Sequence, residues 1–291
     1  MSIADITGVD GTIVGLAVDH RDSFRAALRE RGLADDDGTI RAIKVDVCNA
    51  LLADASFLLV DDDFLAWTAQ DSGIAVHYGF ALPLEAQGYG DLHAVERTTL
   101  LDSPTIAEMA AEGARALKLL LPYRPDVVDR AQDQRTIAAA AIAMCHAEGL
   151  PLILEPIVWR APGEERGGAD ELSDERFAEL VVAAARELAP LQPGLLKLQY
   201  PGSRDACVEL HAACGGHPWV LLGGGAPLAD LERHVADACD AGALGCIVGR
   251  SLFDGALVTD PAVRAAYLSD VARPALRRLA RIVREHVRVH R

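Results

Sequence analysis

The sequence predicts a single (β/α)8 barrel, the TIM-barrel architecture. Eight short apolar runs alternate with longer helical patterns along the 291 residues. Uninterrupted apolar runs of this length are typical of parallel strands that are covered on both faces. Eight such runs favour a closed barrel over an open sheet, and the chain has the length of one barrel. Because no Pro/Ser-rich linker divides the sequence, we expect one domain over residues 1–291.

The predicted strands follow one another in order from the N-terminus. Their bounds are Thr12–Asp19, Ser56–Asp61, Ile74–Phe80, Ala116–Pro122, Leu150–Val158, Leu195–Tyr200, Trp219–Gly225 and Gly245–Ser251. One further segment, Ile40–Val47, has two interpretations. Its apolar residues recur at roughly helical spacing, but it contains the alternating stretch IKVDV and could itself be a strand.

Helices are predicted between these strands. Amphipathic or alanine-rich patterns mark three of them, Arg21–Arg31, Ile40–Ala53 and Val127–Glu148. Ser103 and Pro104 predict a helix start, with serine as the N-cap and proline at the first helical position. Ser173 and Pro227 open two more helices. The C-terminal segment, from about residue 261 to 291, is predicted to be helical with a kink or break at Pro274.

Charge and composition argue against several classes of protein. The formal net charge of −15 argues against nucleic-acid binding over the general surface. No apolar run approaches the ~18 residues that a membrane span needs, and the N-terminus lacks the basic and apolar segments of a signal peptide. The six cysteines are scattered without a C-x-x-C pair and indicate buried, reduced thiols. We therefore expect a cytoplasmic protein without nucleic-acid or membrane partners.

Lysine is rare in this chain. Only Lys44, Lys118 and Lys197 are lysines among the 28 basic residues, and the others are arginines. Arginine stays protonated and cannot act as an amine nucleophile, whereas a buried lysine can. A lysine inside an apolar strand is therefore a candidate for covalent chemistry.

Polar residues stand late in five of the predicted strands. They are Asp19 in the first strand, Lys118 in the fourth, Glu155 in the fifth, Lys197 in the sixth and Arg250 in the eighth. Active sites of parallel barrels lie at the C-terminal ends of the strands. We therefore expect these side chains to converge at one end of the barrel.

The alternation of side chains along a strand supports this set. Lys197 shares a face with Leu195 and Gln199, while the opposite face is apolar and suits a covering helix, so Lys197 should face the lumen. Glu155 falls on the face of the two isoleucines in its strand. A lysine beside a second cation in an apolar pocket has a lowered pKa and can attack a ketone, with a neighbouring acid moving the protons. The alternative is an ion network that only holds the barrel mouth together, but such networks stabilise weakly.

Six stretches, in order along the chain, carry a resemblance to a known family. They are AVDHRDSF (Ala17–Phe24), KLLLPY (Lys118–Tyr123), LEP (Leu154–Pro156), LLKLQYPG (Leu195–Gly202), LLGGG (Leu221–Gly225) and AGALGCIVGRSLF (Ala241–Phe253). Together they cover the chain from about Thr12 to Gly255. With a lysine on the sixth strand, the series resembles the class I (Schiff-base) aldolases of the tagatose-bisphosphate and sulfofructose-phosphate aldolase family.

The resemblance implies a role for each polar residue at the strand ends. Lys197 is implied as the Schiff-base lysine and Glu155 as the proton-transferring acid beside it. Lys118 would assist formation and dehydration of the carbinolamine. Asp19 would accept the proton of the substrate hydroxyl whose carbon becomes the aldehyde.

The resemblance also implies a site for the phosphate next to the ketone, at Gly224, Gly225, Gly249 and Arg250. Barrels often bind phosphate in the loops after strands seven and eight, with backbone N–H groups and a helix N-terminus. Arg250 would add a charge-assisted contact. For the far end of the substrate the candidates are four arginines, Arg21, Arg124, Arg160 and Arg166, and the sequence does not choose among them.

Two positions depart from the family pattern. His20 stands where the family usually has glutamine, and Gly223 stands where a serine usually opens the glycine segment. The change at Gly223 removes a side-chain hydroxyl from the phosphate or ketone site. Neither change affects the imine chemistry, but both leave the identity of the substrate open.

The implied function is that of an aldehyde-lyase without cofactor or metal. It would reversibly cleave a phosphorylated ketose, such as tagatose 1,6-bisphosphate, fructose 1,6-bisphosphate or sulfofructose 1-phosphate, into dihydroxyacetone phosphate and an aldehyde. We also expect a homo-oligomer. One alternative is a metal-dependent lyase that uses His20 and His77 with Asp61 or Asp62. The other is a regulator that binds sugar phosphates on the same barrel and lacks catalysis.

Overall fold

The computed structural model describes residues 2–61, 63, 79–86, 92–165 and 167–287. In this part of the chain eight parallel strands close into a barrel in sequence order, and β8 pairs with β1. The strands are β1 (Ile13–Ala17), β2 (Phe57–Leu59), β3 (Phe80–Pro83), β4 (Ala114–Pro122), β5 (Leu152–Ile157), β6 (Leu195–Leu198), β7 (Trp219–Leu222) and β8 (Gly245–Val248). The predicted (β/α)8 barrel is confirmed.

Helices cover the outside of the barrel. They are α1 (Asp22–Glu30), α2 (Asp37–Leu51), α3 (Ile106–Ala111), α4 (Val128–Ala147), α5 (Asp174–Leu188), α6 (Arg204–Ala213), α7 (Leu228–Ala241), α8 (Arg250–Phe253), α9 (Pro261–Tyr267) and α10 (Arg273–Val287). A π-helical turn, Leu268–Ala272, joins α9 to α10 without interrupting the helical path, so the chain has an irregular turn just before Pro274 and no break there. Of the helices in the described ranges, none is both long and apolar enough to cross a membrane.

Side-chain alternation divides the apolar residues of the strands into two layers. The inner cluster fills the lumen and includes Ala116 of β4, Ile153 of β5 and Leu195 of β6. The outer cluster joins the other face of the strands to the helices. Two residues after each of these three lumen positions come Lys118, Glu155 and Lys197, so the pleat directs all three side chains into the upper end of the lumen. The six cysteines are buried free thiols, as expected.

The third strand differs from its prediction. Residues 74–78 of the predicted strand Ile74–Phe80 lie outside the described residues, and the strand that pairs with its neighbours is Phe80–Pro83. In the barrel, Phe80 is in register with Leu58 of β2 and Ala114 of β4. Apolar residues occur both before His77 and after Gly79, and two short apolar runs this close together do not show which of them is the strand.

Two helix predictions are settled by capping. The segment Ile40–Val47 lies within α2 and is therefore helical, not a strand. Asp36 is the N-cap of this helix, and its side chain accepts a hydrogen bond from the Thr39 N–H at 3.0 Å. The predicted helix start at Ser103 and Pro104 is wrong, since α3 begins at Ile106. Thr105 is its N-cap and forms a capping box with Glu108, which satisfies two backbone N–H groups at once.

Candidate active site

The C-terminal ends of the strands surround a cavity of about 240 Å³. The eight residues predicted for catalysis and phosphate binding line its wall, together with Arg21, one of the four arginine candidates: Asp19, Arg21, Lys118, Glu155, Lys197, Gly224, Gly225, Gly249 and Arg250. The barrel thus brings together residues that are far apart in the chain. Their roles stay predictions, but their convergence is a property of the fold.

Lys197 is held by a strand whose other side chains are apolar. It is the third residue of β6, and only 4% of the residue is exposed. Directly after the strand, the Gln199 side chain accepts a hydrogen bond from the Val158 N–H at 2.7 Å and donates one to the Val158 carbonyl at 3.2 Å. These bonds tie the end of β6 to the end of β5 and so constrain the distance between Lys197 and Glu155.

Glu155 lies between two ammonium groups. Its Oε1 is 3.0 Å from the Lys197 Nζ, and its Oε2 is 3.6 Å from the Lys118 Nζ. Glu155 Oε2 is buried and has no hydrogen-bond partner among the described residues. Lys118 Nζ also donates to Asp19 Oδ2 at 3.1 Å. This arrangement can pass a proton between an amine, a carboxylate and a molecule bound over them.

Glu85 is a member of the cluster that the sequence analysis missed. It follows β3 by two residues, is 2% exposed, and its Oε1 accepts a hydrogen bond from Lys118 Nζ at 2.6 Å. Its Oε2 accepts another from the Leu120 N–H at 3.0 Å. The signal that could have found it is the same one used elsewhere, an acid at the end of an apolar strand. The predicted third strand, Ile74–Phe80, ends before Glu85, so this residue did not stand at a predicted strand end.

The cluster shifts the pKa values of its members in opposite directions. Burial raises the pKa of Asp19, but the charge of Lys118 above all lowers it by more, so the carboxyl titrates well below its usual range. Burial lowers the pKa of Lys118, but Asp19, Glu85 and Glu155 raise it by more, so the amine titrates above its usual range. Burial raises the pKa of Glu85, and Lys118 only partly offsets this. At neutral pH Lys118 is therefore an ammonium ion and Asp19 a carboxylate.

His20 is a neutral imidazole at the edge of the cavity. Burial lowers its pKa to about 3, with Asp19 opposing this shift and Arg250 adding to it. Its Nδ1 is buried without a hydrogen-bond partner among the described residues, and lies 4.0 Å from Asp19 Oδ1. The departure from the family glutamine therefore places an uncharged polar ring beside Asp19.

The loop after β7 presents bare backbone to the cavity. Gly224 and Gly225 have φ values of +61° and +74°, in the left-handed region that favours glycine. Helix α7 begins three residues after Gly225, and its N-cap Pro227 provides no side-chain hydrogen bond to the first turn. Backbone N–H groups at this helix start can therefore bind an anion.

The loop after β8 approaches β1 closely. A Cβ at Gly249 would lie 2.5 Å from the Ala17 carbonyl oxygen and 2.9 Å from His20 Cε1, so a larger residue would not fit without movement. Ser251 donates a hydrogen bond to the Gly223 carbonyl at 3.2 Å and ties this loop to the glycine loop. Between them lies Arg250, which forms no ion pair or side-chain hydrogen bond with any other described residue. Its charge is available to a ligand.

The candidates for the far end of the substrate have different surroundings. Arg21 lines the cavity and donates to the Glu85 carbonyl at 2.8 Å. Arg124 is buried in ion pairs with Asp126 and Glu164, and does not line the cavity. Arg160 does not line it either and bonds to loop carbonyls and to Asp174. Arg166 lies outside the described residues, so among the described candidates Arg21 alone reaches the cavity.

The residues named for the metal-dependent alternative do not assemble in the described part of the chain. Asp61 follows β2 and forms a buried ion pair with Lys44, while His20 lies on the cavity wall. His77 and Asp62 lie outside the described residues. Within the described ranges, no group of three or more histidine, cysteine and acidic side chains has metal-ligand geometry.

Comparison with known proteins identifies relatives of the chain. The sequence pattern of the DeoC/LacD family of aldolases matches residues 13–255. Tagatose 1,6-diphosphate aldolase 2 of Enterococcus faecalis is 27% identical over 155 residues, which are 52% of this chain and 46% of that protein. Tagatose 1,6-diphosphate aldolase of Listeria monocytogenes is 24% identical over 202 residues, 66% of this chain and 56% of that one. The chain thus spans about half the length of the curated relatives it matches.

Solved structures share the fold at lower identity. An archaeal fructose-1,6-bisphosphate aldolase, solved with its catalytic lysine bound to the carbinolamine intermediate, aligns with a TM-score of 0.64 and 17% identity over 96% of both chains. Fructose-bisphosphate aldolase of Slackia heliotrinireducens aligns with a TM-score of 0.65 and 18% identity, over 94% of this chain and 86% of that one. The resemblance found in the sequence is confirmed at the level of the family.

Proposed function

The chain belongs to the DeoC/LacD family of aldolases, and from that premise we propose that it cleaves a ketose phosphate through a Schiff base on Lys197. One observation carries the proposal: a single carboxylate, Glu155, lies 3.0 Å from the Lys197 amine and 3.6 Å from the Lys118 amine in one buried cavity. Imine chemistry needs such a set, since it requires an amine, a second cation and a group that moves protons.

The substrate class follows from the two ends of the cavity. The phosphate next to the ketone binds to the backbone of Gly224 and Gly225 and to Arg250, which places the ketone carbon over Lys197. Candidate substrates are tagatose 1,6-bisphosphate, fructose 1,6-bisphosphate and sulfofructose 1-phosphate. Arg21 is the described arginine that could contact the far end.

The first half of the reaction forms the iminium ion. The unprotonated Lys197 amine adds to the ketone carbon, and the carbonyl oxygen takes up a proton to give a carbinolamine. Glu155 moves the proton from nitrogen towards oxygen, and Lys118 stabilises the developing oxyanion. The Glu155 carboxyl group then gives a further proton to the carbinolamine hydroxyl as the C–O bond breaks, so the oxygen leaves as water and a protonated imine remains on Lys197.

The second half breaks the carbon–carbon bond. Asp19 accepts the proton of the hydroxyl on the carbon that becomes the aldehyde, and the electron pair of the broken bond passes to the iminium as an enamine. The enamine carbon then takes up one proton, which balances the proton that Asp19 accepted and later gives up. Addition of water to the resulting iminium releases dihydroxyacetone phosphate, frees the Lys197 amine and returns to Glu155 the proton used in the dehydration. Each proton returns to its donor, so no cofactor is consumed.

The test is reductive trapping. Dihydroxyacetone phosphate and borohydride should leave one adduct, in which hydride has reduced the iminium to a secondary amine, and peptide mapping should place it on Leu195–Gln199. Lys197→Ala and Lys197→Arg should both abolish trapping and turnover, because a guanidinium keeps the charge but is no nucleophile. Glu155→Gln should trap slowly, since the amine can still attack. The exposed Arg186→Ala variant is the control and should behave as the wild type.

Two results would contradict the proposal. An adduct on Lys118 would show that Lys118 is the nucleophile and that the proposal names the wrong lysine. Absence of any adduct with the three candidate ketoses and with dihydroxyacetone phosphate, in a protein that still binds them, would instead favour a regulator that binds sugar phosphates without catalysis.

A further inference from the structure

Glu85 belongs to the cavity wall, yet no step of the proposed reaction uses it. Its carboxylate lies beside two cations, of which Lys118 is the nearer and the Arg21 guanidinium is 3.8 Å from Oε1. Oε1 accepts from Lys118 Nζ at 2.6 Å, and Oε2 is fixed by the Leu120 N–H at 3.0 Å on the same strand as that lysine. The backbone is fixed as well, because Glu85 forms an antiparallel bridge with Leu100 and its carbonyl accepts from Arg21.

The two lysines of the cavity differ sharply in the acids around them. Lys118 Nζ has three carboxylates within 4.0 Å, at 2.6 Å for Glu85, 3.1 Å for Asp19 and 3.6 Å for Glu155. Lys197 Nζ has one such neighbour among the described residues, Glu155 at 3.0 Å. Coulomb attraction to three carboxylates favours the charged form of Lys118 and raises its pKa above the usual range. An ammonium ion has no lone pair and cannot attack a ketone.

Glu85 differs from the other two acids in what happens to its charge during the reaction. Glu155 and Asp19 each take up a proton in the proposed cycle, and while they are neutral they no longer hold Lys118. Glu85 takes no part in these transfers, so its charge persists. The ionisable groups that face Lys118 across the cavity are Asp19, His20, Arg21, Glu85, Glu155 and Lys197.

We propose that Glu85 is a positioning residue that keeps Lys118 an ammonium ion throughout the cycle and thereby leaves Lys197 as the nucleophile. The inference rests on the proposed Schiff-base function. It would give the two lysines of one buried cavity different roles, one as a fixed cation and the other as the nucleophile. Glu85 acts through Lys118 and touches no reacting atom.

The first test is the pH profile of Glu85→Gln. Glutamine keeps the size and can still accept the Leu120 N–H bond, but it removes the negative charge nearest Lys118. The alkaline limb of kcat should therefore move towards neutral pH by about one to three units, the shift that loss of one close opposite charge produces. Glu85→Asp keeps the charge, so its limb should stay near that of the wild type even if kcat falls.

The second test asks whether Lys118 can be turned into a nucleophile. Lys197→Met with Glu85 intact should give no borohydride adduct with dihydroxyacetone phosphate. Adding Glu85→Gln to this variant should produce a slow adduct at alkaline pH that maps to Lys118. Glu187→Gln is the matched control, because it removes a half-buried carboxylate that pairs with Arg135 and does not line the cavity.

The outcomes separate this inference from the proposed function. If the wild type forms no adduct, the Schiff-base function fails. If the wild type is trapped on Lys197 but Glu85→Gln and Glu85→Asp lose kcat equally with unmoved alkaline limbs, Glu85 is structural and the inference is wrong. If the limb shifts but Lys118 never forms an adduct in the double variant, Glu85 does not select the nucleophile. Thermal unfolding of each variant identifies any loss caused by misfolding.

Discussion

Replacing Arg250 by alanine should weaken substrate binding far more than it slows the chemistry. The guanidinium lines the cavity beside the glycine loop and forms no ion pair with another described residue, so no described carboxylate neutralises its charge. A charge-assisted hydrogen bond contributes about 1.5–3 kcal/mol. Since each 1.4 kcal/mol is about tenfold, KM for a phosphorylated ketose should rise roughly 10- to 150-fold. Because Gly224 and Gly225 keep their backbone N–H groups, binding is weakened and not abolished.

The assay measures initial rates over a range of fructose or tagatose 1,6-bisphosphate concentrations, with release of dihydroxyacetone phosphate coupled to a dehydrogenase. The phosphate contact is present in the ground state and in the transition state, so kcat should change little. A ketose without phosphate provides an internal control, because Arg250→Ala should leave its kcat/KM unchanged. Arg186→Ala, on the exposed face of α5, should leave both parameters unchanged for either substrate.

Two results would refute this reasoning. An unchanged KM for the phosphorylated ketose would remove Arg250 from the phosphate site. A loss of kcat at constant KM would show that Arg250 acts on the transition state alone, and the phosphate would then have to bind elsewhere on the cavity wall.

Two further predictions concern metal dependence and stability. If the iminium on Lys197 is the electron sink, activity should persist in excess EDTA after dialysis, whereas a loss that zinc or cobalt restores would favour the metal-dependent lyase. Lys44 and Asp61 form an ion pair in which both residues are 2% exposed. Lys44→Ala removes the cation of this pair and leaves the Asp61 carboxylate buried. The free energy of unfolding should therefore fall by about 3–5 kcal/mol. Urea unfolding measures the loss of stability. The double variant Lys44→Met/Asp61→Leu should recover most of it, because both charges are then removed. A fall of less than about 1 kcal/mol in Lys44→Ala would mean that the pair contributes no more than an exposed ion pair.

Much of the site was predictable because it depends on local patterns. A lysine with apolar neighbours on both sides, as in LLKLQ, indicates a buried strand whose lysine side chain faces the barrel lumen. The pleat of the strand then decides which residues share its face. The same parity placed Glu155, and glycines next to a helix start predicted the bare backbone at Gly224 and Gly225. These inferences need only the neighbours of each residue and the general rule for the ends of barrel strands.

The arginines illustrate where such inference stops. Arg21, Arg124 and Arg160 were equivalent in the sequence, since each is a basic residue near a strand end. The structure separates them by their partners: Arg124 is paired with Asp126 and Glu164, while Arg21 lies on the cavity wall. Whether a guanidinium is available to a ligand depends on which carboxylates the fold brings near it, and local sequence does not contain that information.

The sequence by itself therefore predicted the barrel and most of the polar side chains that converge at its mouth. Only the tertiary structure decided that β3 is Phe80–Pro83 and that Glu85 joins the cluster. It also decided that, among the described residues, Lys118 has three carboxylate neighbours and Lys197 has one. The physical reason is distance. Periodicity is set by adjacent residues, whereas Coulomb interactions depend on separations in space, and Lys118 contacts Glu85 and Asp19 across 33 and 99 positions of the chain.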